Sequence, residues 1–273
     1  MPFRRPSATF FSVATGWYVG LFGLGVTGLA LGVGYVTPWP LTIGACVGLL
    51  AAAGSYTRAD LATRLVRTCL PHLLAGVPFV LVFSGALSPV IDIPKYESWL
   101  TTWLSELLVI TVAGFVFYLV SINRHVAIRY EQDSVVVDWI AEPDARYRRL
   151  VRAASVGVGF GCLVLGFVVD PIVNPFPGIG GVLLVQAFFS GRRREYVLFE
   201  SGLCIHRPGT INYQFVPRKQ LRSVDLTDDR LAIRRGFPWP FPIRCATATI
   251  RRPRQVADAL TRVLTSTPVD DRN

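Results

Sequence analysis

The sequence predicts two parts: an α-helical multi-pass membrane domain of about six spans, then a C-terminal α+β domain in which an antiparallel curved sheet or small barrel is capped by one helix. Three observations predict it. Hydrophobic residues make up 51% of the 273 residues and charged ones 17%, against about 25% charge in a typical soluble protein. Mean hydropathy is +0.43. From Arg192 onward, long apolar runs give way to short alternating ones.

The first span, about Ala14–Val36, contains no charged residue. It includes Gly23-Leu24-Gly25-Val26-Thr27-Gly28, a letter-for-letter G-x-G-x-x-G. That fingerprint binds a dinucleotide only where a strand turns into a helix and an acid follows some 20 residues on. No acid occurs before Asp60, so the match is fortuitous. Gly16-x-x-x-Gly20 and Gly28-x-x-x-Gly32 instead have the small-residue spacing of closely packed membrane helices. The span is too long and glycine-rich for a cleaved signal peptide, and we expect it to remain.

The further spans are about Trp39–Tyr56, Leu70–Ile91, Trp103–Ile122, Ala153–Val169 and Pro175–Ser190. The second and sixth sit at or below the usual crossing length of ~20 residues. Both follow proline-marked turns, "TPWP" and "NPFP", and read as returning arms of hairpins. Charge tests the count. Arginines precede the first span (Arg4, Arg5), separate the second from the third (Arg58, Arg64, Arg67), crowd the 123–152 loop and follow the sixth span (Arg192, Arg193, Arg194). The alternate loops carry only Lys95. Basic loops stay in the cytoplasm, so six spans place both termini there, in the cell membrane. Trp17, Trp39, Trp99 and Trp103 fall near span ends, where amphipathic rings settle.

The loop 123–152 contains "EQDSVVVDWIAEPDARYRR". Read as a cytoplasmic helix extension, it puts Asp138 and Glu142 on one solvated face. With no histidine or third ligand at a supporting spacing, they make no metal site.

The domain 192–273 begins with "EYVLFE" and "LCIHR" around a Ser201-Gly202 turn. Then come "INYQFVP", "LRSVDLT", a turn at Asp228-Asp229, "RLAIRR", "FPWPFP" and "IRCATATI". In "RPRQVADALTRVLTS", Val256, Ala259, Leu260, Val263 and Leu264 recur at helical spacing, with Pro253 near the start. This gives six strands and one amphipathic helix. "YVLFESGLCIH", "VPRKQLRSVDL", a Gly turn, a strand and "PRQVADALTRVL", all following hydrophobic helices, resemble bacterial pleckstrin-homology-like domains fused to membrane spans. The resemblance covers about residues 194–265. It implies seven strands and a capping helix, so one strand is hidden, in Arg192–Tyr196 or "FPWPFP"; it implies no established activity. Eukaryotic relatives hold phosphoinositides with basic residues around the first hairpin turn. Here that turn reads Glu200-Ser201-Gly202, and such specificity is not carried over.

No catalytic, cofactor or metal residue is expected. The histidines His72, His125 and His206 lie in three segments, and no H-E-x-x-H, G-x-S-x-G or P-loop occurs. The five cysteines are scattered without C-x-x-C. Gln186 in the sixth span reads as helix–helix glue. The tail from Arg192 carries sixteen basic and eight acidic residues, +8 of the chain's +10. The candidate contact residues for an anionic lipid or acidic protein partner are Arg192, Arg193, Arg194, Arg234, Arg235, Phe237, Trp239, Phe241 and Arg244. In "GFPWPFP", Pro238, Pro240 and Pro242 exclude an interior strand and leave Phe237, Trp239 and Phe241 alternating along a stiff loop. Nucleic acid ranks lower, since no stacking aromatics are spaced along a strand. The expectation is a non-enzymatic membrane protein presenting a cytoplasmic binding domain. The alternative is a small-solute transporter or channel with a regulatory tail.

Overall fold

A computed structural model describes residues 7–32, 37–58, 60–68, 70–91, 97–168, 176–210, 213–236 and 241–266. Their contacts divide into two units, 1–128 with 162–179 and 129–161 with 180–273.

In the first unit, helices α1 (Ala8–Leu31) and α2 (Pro38–Thr57) pack through glycine. A Cβ on Gly16 would stand 2.7 Å from both the Ala52 Cβ and the Gly48 carbonyl. One on Gly48 would stand 2.7 Å from the Gly16 carbonyl, and one on Gly44 2.8 Å from the Gly20 carbonyl. The Gly16–Gly20 spacing thus meets a second small-residue row, Gly44, Gly48 and Ala52. Gly32 plays no such part: it faces open space at φ +62° and closes α1 in the left-handed conformation that suits glycine. Pro38 opens α2, where the missing N–H costs nothing.

Helices α3 (Leu61–Arg67), α4 (Leu70–Ile91) and α5 (Glu97–Gln132) follow. A core of Phe11, Tyr18, Ala62, Ile110, Ala113, Phe117 and their neighbours joins them to α1. Tyr18 stacks on Phe117 with centroids 5.2 Å apart, and its hydroxyl donates to the Leu74 carbonyl at 2.9 Å. Helix α5 outruns its expected span of 103–122 at both ends. Helix α6 (Ala145–Val168) also starts early, and α7 (Phe176–Phe189) returns beside it. A Cβ on Gly166 would meet the Pro177 ring at 2.7 Å.

Among the described residues four helical segments are long and apolar enough to cross a membrane: Ala8–Gly28, Pro38–Thr57, Glu106–Gln132 and Ala145–Val168. A fifth candidate joins Leu61–Arg67 to Leu70–Val82 through a 62° bend. The sixth expected span is the 14-residue α7, only ~21 Å long at 1.5 Å per residue. These helices turn large apolar side chains outward: Leu50 is 74% exposed, Phe167 92% and Phe188 83%.

Among the described residues the second unit holds seven strands in two antiparallel sheets. The first orders β1 (Val135–Ala141), β2 (Arg194–Phe199), β3 (Gly202–His206) and β4 (Tyr213–Pro217). The second orders β5 (Leu221–Leu226), β6 (Arg230–Arg235) and β7 (Ile243–Ala246). Six strands and helix α8 (Pro253–Thr265) fall where alternation places them. The β2–β3 turn is Glu200-Ser201, one residue earlier than expected, since Phe199 pairs with Gly202.

Three expectations are corrected. The segment around Asp138 is a strand, not a helix extension: Val135, Val136 and Val137 are β-branched, and β1 pairs with β2 from Val135↔Phe199 to Ala141↔Arg194. The seventh strand among the described residues lies between α5 and α6; Arg192–Tyr196 instead runs into β2, and most of "FPWPFP" lies outside the described residues. The sheet does not close into a small barrel. Among the described residues β4 and β5 do not pair with each other, and the β1 and β7 edges meet only at the Pro143↔Cys245 bridge.

Both sheets and α8 share one core. Trp139, Ala141, Tyr196, Leu198, Leu203, Ile205, Leu231, Ile233 and Cys245 face Val256, Leu260 and Val263 of α8. Trp139 stacks on Tyr196 with centroids 5.1 Å apart and planes 6° apart.

Two outcomes follow from this packing. Gly48→Leu drives a side chain into the α1 backbone and should lower the melting temperature of the detergent-solubilised chain by several degrees, as overpacking costs ~1–3 kcal/mol or more. Gly54→Leu, with nothing within 4 Å of its Cβ, should not. Residues 192–273 alone lack β1 and with it Trp139, a loss of ~3–5 kcal/mol for a small domain, so they should give a collapsed amide spectrum. Joining residues 129–143 to 192–273 through a short turn, which the Ala141↔Arg194 pairing permits, should restore dispersion.

Candidate functional site

The end of α5 is fastened to the first hairpin of the sheet. The Arg129 guanidinium donates to Asp133 Oδ1 at 3.3 Å, and both side chains are largely buried. Ser201 Oγ donates to the other Asp133 oxygen, and Ser134 Oγ donates to Glu200 at 3.3 Å. Tyr130 packs edge-on against Phe199 at 4.9 Å. A buried carboxylate held from both sides fixes its partners firmly, because losing Arg129 leaves its charge uncompensated and losing Ser201 leaves one oxygen without its donor. The clamp orients β2 and β3 on the last turn of α5.

The predicted contact residues separate into groups. Arg192 is exposed, with its guanidinium carbon 4.1 Å over the Phe189 ring. Arg193 is exposed and donates to Glu142 at 3.1 Å. Glu142 also faces Arg148 at 3.9 Å, so it serves arginines, not Asp138. Arg234 lies on the outer side of β6 and donates to Asp225 at 2.9 Å. Arg244 takes the alternate register of β7, opposite Ala232. Phe241 is 67% exposed, and its carbonyl accepts a 2.9 Å hydrogen bond from Arg235 Nε. Phe237 and Trp239 lie outside the described residues.

Arg194 and Arg235 belong elsewhere. In β2, Arg194 shares the inward row with Tyr196 and Leu198; in β6, Arg235 shares it with Leu231 and Ile233. Arg207, one residue past β3, continues the row of Leu203 and Ile205 and falls opposite Arg194 by extension of the Glu195↔His206 register. Three inward rows therefore end in arginine. Tyr147, near the start of α6, interacts with both Arg207 and Arg235. Burial, aided by the neighbouring Arg194 charge, holds Arg207 below the usual arginine range, and burial does the same to Arg235. Arg194 Nε is buried without a hydrogen-bond partner, and the buried Tyr196 hydroxyl meets Arg194 and the Cys245 thiol. Arg207 and Tyr147 were not singled out in the sequence. Alternation marks the arginine, but its phase relative to the core becomes visible only in the paired strands.

The remaining polar groups do not converge on a reacting centre. His72 packs edge-on against Tyr118 at 4.8 Å, His125 Nδ1 lies 3.1 Å from Thr63 Oγ1, and His206 bridges Glu195 and the Thr210 carbonyl. Burial pushes the Cys204 thiol up to about 12 and raises Cys245, which removes thiolate character. Among the described residues no three His, Cys, Asp or Glu side chains are grouped to hold a metal ion. An open groove of about 590 Å³ is lined by Asp144, Ala145, Arg146, Arg149, Asp229 and Ala246, mixed in charge and without a nucleophile.

Comparison with protein-family models, with curated proteins and with solved structures returned no match.

Proposed function

We propose that the chain is a multi-pass membrane protein whose pleckstrin-homology-like sheet unit sits on the cytoplasmic side and binds the anionic lipid surface or an acidic partner, without catalysis. The observation that carries this reading is the β1–β2 pairing. Strand β1 precedes α6 and β2 follows α7, yet Ala141 and Arg194 are ladder partners. The chain between them leaves one side of the bilayer and returns to it. If α6 crosses, the short α7 lies on the chain's return. This supports six spans over five, in agreement with the arginine-rich loops and the positive-inside rule. Seven strands with a closing helix support the pleckstrin-homology-like reading.

Surface binding draws support from Phe241, a ring held out beside basic side chains. Arg192 and Arg193 immediately follow α7, where each gains about 1 kcal/mol near anionic lipid.

Topology tests the first half. Single cysteines placed at Asp138 and at Asn273 should be shielded from an impermeant maleimide in intact cells, while one at Asn174 should react. Equal labelling at Asp138 and Asn174 would break the six-span arrangement. The joined soluble chain tests the second half. It should float with vesicles containing phosphatidylglycerol, and Phe237→Ser, Trp239→Ser, Phe241→Ser together should cut flotation at least fivefold with the fold intact. Unfolding of that triple variant would assign the rings to the core instead.

A further inference from the structure

The inward arginines have a chemistry that surface attraction does not require. A guanidinium half-withdrawn from water is costly unless an anion or several acceptors meet it. Elsewhere in the unit several arginines have such partners: Arg193 and Arg148 share Glu142, and Arg234 has Asp225. No carboxylate among the described residues faces Arg194, Arg207 or Arg235. Their neighbours are Tyr147, Tyr196 and Cys245, together with one another. Arg194 acts on Arg207 as a like charge.

The cluster also has unused donors. Arg194 Nε is buried without a hydrogen-bond partner, and the buried Tyr196 hydroxyl and Trp139 Nε1 meet only the Cys245 thiol and, for Tyr196, Arg194. Arg235 spends only its Nε, on the Phe241 carbonyl. Three guanidiniums with only hydroxyl, thiol and carbonyl groups beside them suit an oxyanion. Guanidinium forks match the oxygen spacing of phosphate and bind it bidentately.

We propose that Arg194, Arg207 and Arg235, with the Tyr147 and Tyr196 hydroxyls, form a binding site for a phosphate group at the end of the inter-sheet core. The group belongs to a lipid headgroup or to a soluble phosphate ester. The proposal deepens the binding-module reading and rests on it. The site differs from the surface set: Arg192, Arg193, Arg234 and Arg244 take no part.

The test uses the full chain in dodecyl maltoside and in nanodiscs. Inorganic phosphate, titrated against chloride at matched ionic strength, should raise the melting temperature saturably. Nanodiscs with phosphatidic acid, compared with phosphatidylcholine, should do the same if a lipid is the source. Arg207→Gln with Arg235→Gln should weaken the response at least tenfold, whereas Arg234→Gln with Arg244→Gln should leave it intact. Without ligand, the first pair should melt no lower than the parent chain, because it removes repelling, unpartnered charges. A purely structural role predicts a lower melting point. Should that pair fail to fold, phenylglyoxal labelling of the parent chain decides: phosphate should protect Arg194, Arg207 and Arg235 and spare Arg234. No response to either phosphate source, or a response and protection pattern indifferent to these three residues, overturns the site. That failure would leave the topology and flotation results standing, which marks it off from failure of the wider reading.

Discussion

The pairing of β1 with β2 is the constraint on which the second unit depends. It supplies the edge of the first sheet, and through Trp139 it supplies the ring that stacks on Tyr196. Without β1, Tyr196 loses its cover and the inward row that ends in Arg194 loses its neighbour strand. The same ladder joins chain segments on either side of two apolar helices. A hydrogen-bonded register thereby returns the chain to the sheet after both helices, a restriction that hydropathy alone does not impose.

Several elements act to hold this register. The Arg129–Asp133–Ser201 clamp fixes the hairpin beyond β2 to the helix that leads into β1. Its burial makes it intolerant of single losses, and the edge-on contact of Tyr130 with Phe199 closes it on the apolar side. Across the core, α8 presents Val256, Leu260 and Val263 to both sheets. It covers the space that an unclosed pair of sheets leaves open, so the unit dispenses with a barrel. Gly16, Gly20, Gly44 and Gly48 answer a different need in the first unit. Helices without a hydrophobic driving force between them pack by close backbone approach.

Much of this was legible in the sequence. Six strands and α8 follow from alternation and from turns at Pro208-Gly209 and Asp228-Asp229, because each run is bounded by residues that stop it. The strand β1 was not, because "SVVVDWIAEP" lies between charged stretches that extend helices on both sides. The β-branched run Val135-Val136-Val137 was the available signal. Its pairing partner is remote, so no turn announces a hairpin. The candidate surface was read as one basic patch, and charge counting cannot split it. Alternation can: Arg234 and Arg235 are adjacent, so one must face out when the other faces in. Arg207 escaped because it abuts the Pro208-Gly209 turn and reads as loop charge.

The separation of β1 from β2 also sets an order of events during synthesis. Strand β1 leaves the ribosome while its partner is still roughly fifty residues from being made, a delay of several seconds at ~5–20 residues per second. In that interval Val135, Val136, Val137 and Trp139 form a bare edge with unmet backbone donors, the kind of segment that seeks any available strand. If the α6–α7 hairpin enters the membrane, as the proposed topology has it, it does so before the sheet can assemble. A slow insertion step would thus appear as aggregation of a soluble-looking segment. Charged Asp138, in the middle of the strand, fits the role of a guard against that pairing.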